Sequence, residues 1–278
     1  MDIYSILSQQ TWRFIENSQF APQHDALASF ALDDALCEAV GQKRSLPIAR
    51  SWIHDKTIVL GIQDGRLPEL KEGVEFLKKD GWNVIVRNSG GLAVVLDQGI
   101  YNLSLILHEK DNGLSIEKAF ETMAALLKML LAPYGIDFQT GEIIGSYCPG
   151  KYDLSVNGKK FAGISQRRIR GGAAVQVYLC TSGSGSDRAR VIEQFYERAA
   201  RSAPDRRPPI YPETMASLAE ISRQSISHAE LNERLIQLLQ KNGPVIQTDL
   251  DSEEAERFQF YYERVAERSN KVLLPLNV

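Results

Sequence analysis

The pattern of apolar and polar positions changes character along the chain. In residues 25–40, DALASFALDDALCEAV, apolar side chains recur at helical intervals, with Asp33 and Asp34 assigned to the wet side of the helix. Short β-branched or aromatic runs follow: ARSWI, KTIVLGIQ, NVIVRN, LAVVLD and IYNLSLIL. Each is bounded by Gly, Asp or Asn and reads as a strand. KEGVEFLKKDGW reads as a helix between two of them. The strongest helical stretch is SIEKAFETMAALLKMLLAPYG, where Ile116, Phe120, Met123, Leu127 and Leu130 keep a spacing of three or four. Ser115 stands at its N-cap position, and Pro133-Tyr134-Gly135 ends it.

YDLSVNGKKFAGIS reads as a hairpin, because Asn157-Gly158 suits a two-residue type I′ turn with positive φ at both positions. AAVQVYLC adds a strand, TSGSGSDR a flexible loop and APDRRPPIYP a proline-stiffened connection. Beyond them Ser227 and Glu230 form a capping box ahead of LNERLIQLLQ. Strands followed by helices, with hairpins among the strands, predict an α+β fold: a mixed sheet with flanking helices and a helical C-terminal annex over 213–278.

Composition narrows the class. The 278 residues are 44% hydrophobic and 24% charged, which suits a soluble protein with a sizeable core. A net charge of -3 gives no field for nucleic acid or an anionic membrane. Apolar runs such as GLAVVL and KVLLPL fall far short of the ~20 residues that span a bilayer. The opening MDIYSILSQQTWRF lacks the basic and apolar regions of a signal peptide. Three cysteines at unrelated spacings fit neither a disulfide framework nor a zinc site, and point to a reducing, cytoplasmic setting.

Two of those cysteines read as small buried hydrophobes, Cys37 on a helical apolar face and Cys180 closing a strand. Cys148, in GSYCPG, reads as an exposed loop thiol. None of His24, His54, His108 and His228 lies in its segment, and no local motif supports a cysteine–histidine pair. The nearby cations are Lys159 and Lys160 on the returning hairpin strand, which alternation sends to opposite faces. Two hairpin lysines taken alone are a solvated surface. Ser89-Gly90-Gly91 joins two strands and taken alone is a hairpin turn, although paired glycines let backbone N–H groups face a ligand. Its spacing matches neither a Walker A loop nor a dinucleotide fingerprint. RIRGGAAV reads as a turn; the basic run QRRIRGG is either a solvated turn or a docking patch for an acidic domain.

Residues 87–107, RNSGGLAVVLDQGIYNLSLIL, and 152–168, YDLSVNGKKFAGISQRR, resemble the lipoate–protein ligase, octanoyltransferase and biotin ligase superfamily. The ligase pattern is R-R-x-S-G-G-G-A-V-x-H-D, followed later by D-L-x-x-x-G-K-K-x-x-G-x-x-Q. FALDDAL is similar to the opening helix of that family, and RSWIHDKTIVLGIQ to its R-x-W segment through Arg50, Trp52, Gly61 and Gln63. The likeness covers residues 30–180. It implies a single catalytic domain over 1–278, with its core at about 44–248. It also implies substrate binding by Arg87, Ser89, Gly90, Gly91, Ala93, Asp97 and Gly163, with Leu92 and Val94 lining an acyl tunnel, and makes Lys160 the family lysine.

The departures select a branch. Val86 replaces the first arginine and Leu96 the histidine, which argues against ATP-dependent adenylation, while Cys148 stands just ahead of the hairpin. A branch that receives an already acylated carrier needs such a nucleophile. The resemblance therefore implies octanoyl transfer from the lysine of the glycine cleavage H protein to lysines of lipoyl domains of 2-oxoacid dehydrogenase complexes. Cys148 would carry the acyl group as a thioester, and the Lys160 ammonium would steady the developing negative charge. Exchange of one amide for another needs no ATP, so no cofactor and no metal are expected. Three alternatives stay open: an octanoyl-acyl carrier protein donor, an ATP-dependent lipoate ligase, and a silent lipoyl-domain binder.

Overall fold

Residues 3–16, 25–241 and 243–278 are described in a computed structural model; His24 lies outside them. In chain order the helices are α1 (Ile3–Leu7), α2 (Ala26–Gly41), α3 (Leu70–Lys79), α4 (Ile116–Leu131), α5 (Gly185–Ala199), α6 (Leu218–Ser222), α7 (His228–Gln240) and α8 (Ser252–Leu273). The strands are β1 (Trp12–Glu16), β2 (Ile48–Trp52), β3 (Thr57–Leu60), β4 (Asn83–Val86), β5 (Val94–Leu96), β6 (Ile100–His108), β7 (Gln139–Thr140), β8 (Asp153–Val156), β9 (Lys159–Ile169), β10 (Gly172–Cys180) and β11 (Val245–Gln247).

Eight strands form a mixed sheet in the order β11-β1-β2-β6-β10-β9-β8-β7, with β1 parallel to both β11 and β2 and the remaining pairs antiparallel. On one face, Leu103, Leu105, Val175 and Val177 of the long central strands pack with Met123 and Leu127 of α4 and Leu231 and Leu235 of α7. Fully burying side chains of this size contributes roughly 1.5–3 kcal/mol each, so this layer is a main source of stability. On the other face α2 lies between the sheet residues Ile15, Ile48, Ile106 and Ala174 and the α8 residues Phe258 and Val265.

One expectation is corrected here: Asp33 and Asp34 do not face water. Asp33 is wholly buried and ion-paired with Arg50 at 2.8 Å; it also accepts from Ser104 Oγ and Gln176 Nε2, both at 2.6 Å. Asp34 accepts from Arg167 Nε and from Asn88 Nδ2, each at 2.8 Å. The run QRRIRGG is largely neutralised in the same way: Arg167 pairs with Asp34, Arg168 with Glu109 and Arg170 with Glu38.

A second, three-stranded sheet has the order β4-β3-β5. It packs through Ile58, Leu60 and Val84 against Val74 and Leu77 of α3 and Ile192 and Phe195 of α5. Because β3 separates β4 from β5, Ser89-Gly90-Gly91 is not a hairpin turn; it carries the chain across the end of β3. The β8–β9 hairpin does turn at Asn157 (φ 51°) and Gly158 (φ 74°), as type I′ geometry requires. TSGSGSDR is only in part a loop, since Ser184 caps α5 by accepting from the Asp187 N–H.

Candidate active site

Cys148 sits in the connection between β7 and β8 with its backbone in the left-handed region, at φ 46°. A non-glycine residue there is strained by roughly 1–3 kcal/mol, so the surroundings have to hold it. The holding group is Lys160. Its Nζ donates to the carbonyl of Cys148 at 2.8 Å and to that of Tyr147 at 3.0 Å, and pairs with Asp153 Oδ1 at 3.0 Å. Asp153 Oδ2 in turn accepts from the Gly150 N–H at 3.0 Å.

Lys160 reaches inward because the β8–β9 register shifts between Leu154 and Ser155. Across this bulge the successive residues Phe161 and Ala162 both enter the main core, while Lys160, 2% exposed, turns to the cysteine loop. Lys159 is exposed. Burial raises the Asp153 carboxyl above its usual range, and the Lys160 charge offsets only part of that.

The sulfur faces another group of residues. Cys148 is half-buried, and Leu92 N–H donates to its Sγ at 3.3 Å. Arg87 Nη2 lies 3.7 Å from Sγ. Arg87 also straps the glycine loop, donating from Nε to the Gly90 carbonyl at 3.1 Å and from Nη2 to the Leu92 carbonyl at 2.8 Å. Gly91 adopts φ 90°, and a Cβ there would stand 2.5 Å from Arg87 Nη2 and 3.2 Å from Cys148 Sγ. A Cβ on Gly61 would sit 1.9 Å from the Gly91 carbonyl oxygen, so the turn after β3 and the glycine loop touch backbone to backbone.

An N–H and a guanidinium aimed at one sulfur suit negative charge on that sulfur, or on an oxygen forming beside it. Among the described residues no histidine is part of the arrangement. His54 bonds Ser29, His108 bonds Asp111 and His228 bonds Thr181. Among the described residues no group of three or more His, Cys, Asp or Glu side chains could hold a metal ion.

The description "Lipoyl protein ligase A/B catalytic domain" matches residues 25–240. The chain belongs to this family. It is 50% identical over 273 residues to an Octanoyl-[GcvH]:protein N-octanoyltransferase of Anoxybacillus flavithermus, spanning 97% of this chain and 98% of the relative. It is 44% identical over 275 residues to a Lipoyl-[GcvH]:protein N-lipoyltransferase of Listeria monocytogenes, spanning 97% and 98%. The fold is that of lipoate-protein ligase A bound with ATP, with a TM-score of 0.71 at 19% identity over 92% of this chain and 95% of the other.

Against the lipoyl protein ligase pattern, the structure brings Arg87 and Gly91 to the Cys148 sulfur, holds Gly90 by its carbonyl on Arg87, and sets Lys160 beneath the cysteine backbone. Ser89 is half-buried on the same loop. Gly163 lies opposite Asp153 on β9, where a Cβ would meet Asp153 Oδ1 at 3.4 Å and Lys160 Nζ at 3.7 Å. Asp97 is occupied elsewhere: its carboxylate is held bidentate by Arg188 at 2.7 and 2.8 Å and caps the Gly99 N–H. Ala93 is buried and donates its N–H to Tyr196 Oη at 3.0 Å.

Two differences from the sequence reading matter for chemistry. Cys148 is half-buried, not fully exposed. The cation beside its sulfur is Arg87, while the Lys160 ammonium is turned to carbonyls and to Asp153. The sequence reading also missed Tyr196 and Asp64, which bond each other at 2.7 Å behind the glycine loop. Nothing local marks them, because they lie 132 residues apart.

Proposed function

We propose that this protein is an octanoyl-[GcvH]:protein N-octanoyltransferase acting through a Cys148 thioester. The observation that carries the reading is the Cys148 sulfur, half-buried and faced by Leu92 N–H and the Arg87 guanidinium where the two family motifs meet. Relatives of that name align over nearly their whole length, which supports the same acyl group and the same donor.

The chemistry proceeds in two exchanges. The Cys148 sulfur attacks the carbonyl carbon of the octanoyl amide on the H-protein lysine, forming a C–S bond and a tetrahedral oxyanion. The oxyanion forms beside Leu92 N–H and Arg87, donors already oriented and partly withdrawn from water. Collapse breaks the C–N bond, and the lysine nitrogen departs as an amine with the proton that began on the thiol. An unprotonated lysine of a lipoyl domain then attacks the thioester, forming the new amide, and its surplus proton goes to water as the sulfur is released. Lys160 acts as a positioning residue here, holding the Cys148 backbone at positive φ through two carbonyls.

The acceptors in this reading are lipoyl domains of 2-oxoacid dehydrogenase complexes, and the setting is a reducing cytoplasm, in keeping with three free cysteines. Among the described residues no helix is long and apolar enough to cross a membrane. We read residues 1–278 as one catalytic domain with its core at about 44–248, which the family match over 25–240 supports. Within 213–278, α8 packs on α2 and on β4, bracing the small sheet from which the glycine loop departs.

The test is the intact mass of the protein after incubation with octanoylated H protein and no ATP. A hydroxylamine-labile octanoyl adduct is expected on wild type and none on Cys148→Ala, which should also lose transfer. Transfer undiminished in Cys148→Ala would overturn the thioester. Loading from octanoyl-acyl carrier protein alone would reassign the donor. The Listeria relative's name favours a second reading, with lipoyl in place of octanoyl, and lipoylated H protein in the same assay decides between them.

A further inference from the structure

Behind the glycine loop runs a closed chain of buried polar contacts that the chemistry above does not use. Gly61 N–H donates to Asp64 Oδ2 at 2.7 Å. Tyr196 Oη donates to Asp64 Oδ1 at 2.7 Å and accepts from Ala93 N–H at 3.0 Å. Ala93 follows Leu92, the residue whose N–H meets the Cys148 sulfur. The ring closes where Gly61 lies against the carbonyl of Gly91. Tyr196 and Asp64 are each only 2% exposed.

Packing alone does not call for these groups. Phenylalanine would fill the space of the Tyr196 ring among Phe195, Ala93 and their neighbours. Among the described residues Asp64 makes no direct ion pair, only the more distant Arg87 charge acts on it, and burying a carboxylate so weakly compensated is expensive. Burial accordingly raises both the Asp64 carboxyl and the Tyr196 phenol. What the chain provides is a fixed place for the Ala93 N–H, and through it for the peptide that presents Leu92 N–H.

We propose that Tyr196 and Asp64 are positioning residues that hold the Leu92 N–H on the Cys148 sulfur. The proposal rests on the thioester reading and deepens it: the donor for the developing negative charge is set from α5 and from the turn after β3, across the small sheet. Tyr196 carries the constraint directly, and Asp64 orients the Tyr196 hydroxyl so that its lone pair meets Ala93 N–H.

Two rates measured on folded wild type, Tyr196→Phe and Asp64→Asn decide it. The first is alkylation of Cys148 by iodoacetamide, followed by peptide mass, with the fully buried Cys37 and Cys180 as internal references. The second is octanoyl loading from octanoylated H protein across donor concentrations. Tyr196→Phe is expected to slow loading at saturating donor by roughly tenfold to a hundredfold, the scale of a slightly misplaced catalytic group. The donor concentration for half-maximal rate should stay unchanged, and alkylation should slow as well. Asp64→Asn should move both rates in the same direction by less, and it serves alone if Tyr196→Phe fails to fold. Wild-type alkylation and loading rates in both variants would overturn the proposal. So would a loss confined to half-saturation. If wild type is alkylated but never loads, the thioester reading fails separately, and the alkylation rates still judge the positioning role.

Discussion

Gly91 is where backbone conformation and chemistry meet. At φ 90° an L-residue is strained, and the Cβ of alanine would lie 2.5 Å from Arg87 Nη2 and 3.2 Å from the Cys148 sulfur. The guanidinium is the part able to yield, so alanine should push it off the sulfur and off the Leu92 carbonyl. Gly91→Ala is expected to lower octanoyl loading by roughly a hundredfold, the cost of losing one oriented donor. Its stability loss should be modest, about 1–3 kcal/mol from the backbone strain. Loading kinetics beside a urea titration checks both, and full activity in the folded variant would remove Arg87 from the proposed chemistry. Arg87 and Cys148 are 61 residues apart, and the sequence reading gave the partnership to Lys160, twelve residues from the thiol. Nearness in sequence pointed to Lys160 alone, whereas the course of the glycine loop across β3 brings Arg87 to the sulfur as well.

At the scale of elements, the β8–β9 hairpin shows which features are local. Its turn was legible, since Asn157-Gly158 is a short-range signal with a backbone requirement behind it. The bulge between Leu154 and Ser155 was not, because it reflects how Phe161 and Lys160 each satisfy different surroundings. Strict alternation left the facing of Lys160 open, and the bulge decides it. The outcome is a buried ion pair whose partners also fix a strained loop. Lys160→Met should strand the Asp153 carboxylate and two carbonyls, costing about 3–5 kcal/mol as broken buried pairs do. Adding Asp153→Asn should recover part of that stability but not the loading rate, since neither replacement holds the Cys148 backbone. Urea unfolding of the single and double variants, with loading measured on each, separates the two effects. Recovered loading in the double variant would mean that the lysine contributes nothing but charge balance.

Across the whole molecule, the sequence read best where one face of an element meets one environment. The runs now seen as β2 to β6 and the caps at Ser115 and Ser227 depend on a few neighbouring residues and were found. The pairing of β1 with β11 joins segments more than two hundred residues apart, and no local pattern announces it. Helix α2 misled for a related reason: Asp33 and Asp34 turn to polar residues of the sheet and the glycine loop that are distant in sequence, so they became interior charges matched by Arg50 and Arg167.

Interior carboxylates leave a signature in the pH dependence of stability, and Asp64 is one that makes no direct ion pair among the described residues, although the nearby Arg87 charge acts on it. Burial lifts its pKa above the ordinary 3.8, and the bonds from Tyr196 and the Gly61 N–H, with the Arg87 charge, offset only part of the rise. Between the unfolded and the folded value, the native state therefore holds a proton that the unfolded chain has released. Stability contributed by this group must then fall as pH rises through that window. Asp64→Asn cannot titrate and loses the dependence, while the raised carboxyls of Asp34 and Asp153 are common to both proteins and cancel in the difference. The variant's destabilisation, about 1–3 kcal/mol for weakened buried hydrogen bonds, should accordingly be larger near pH 4 than near pH 7. Urea midpoints of wild type and variant at the two values measure the gap directly. A gap that widens toward neutral pH would mean that the site favours ionised Asp64, with the bonds from Tyr196 and the Gly61 N–H outweighing its burial.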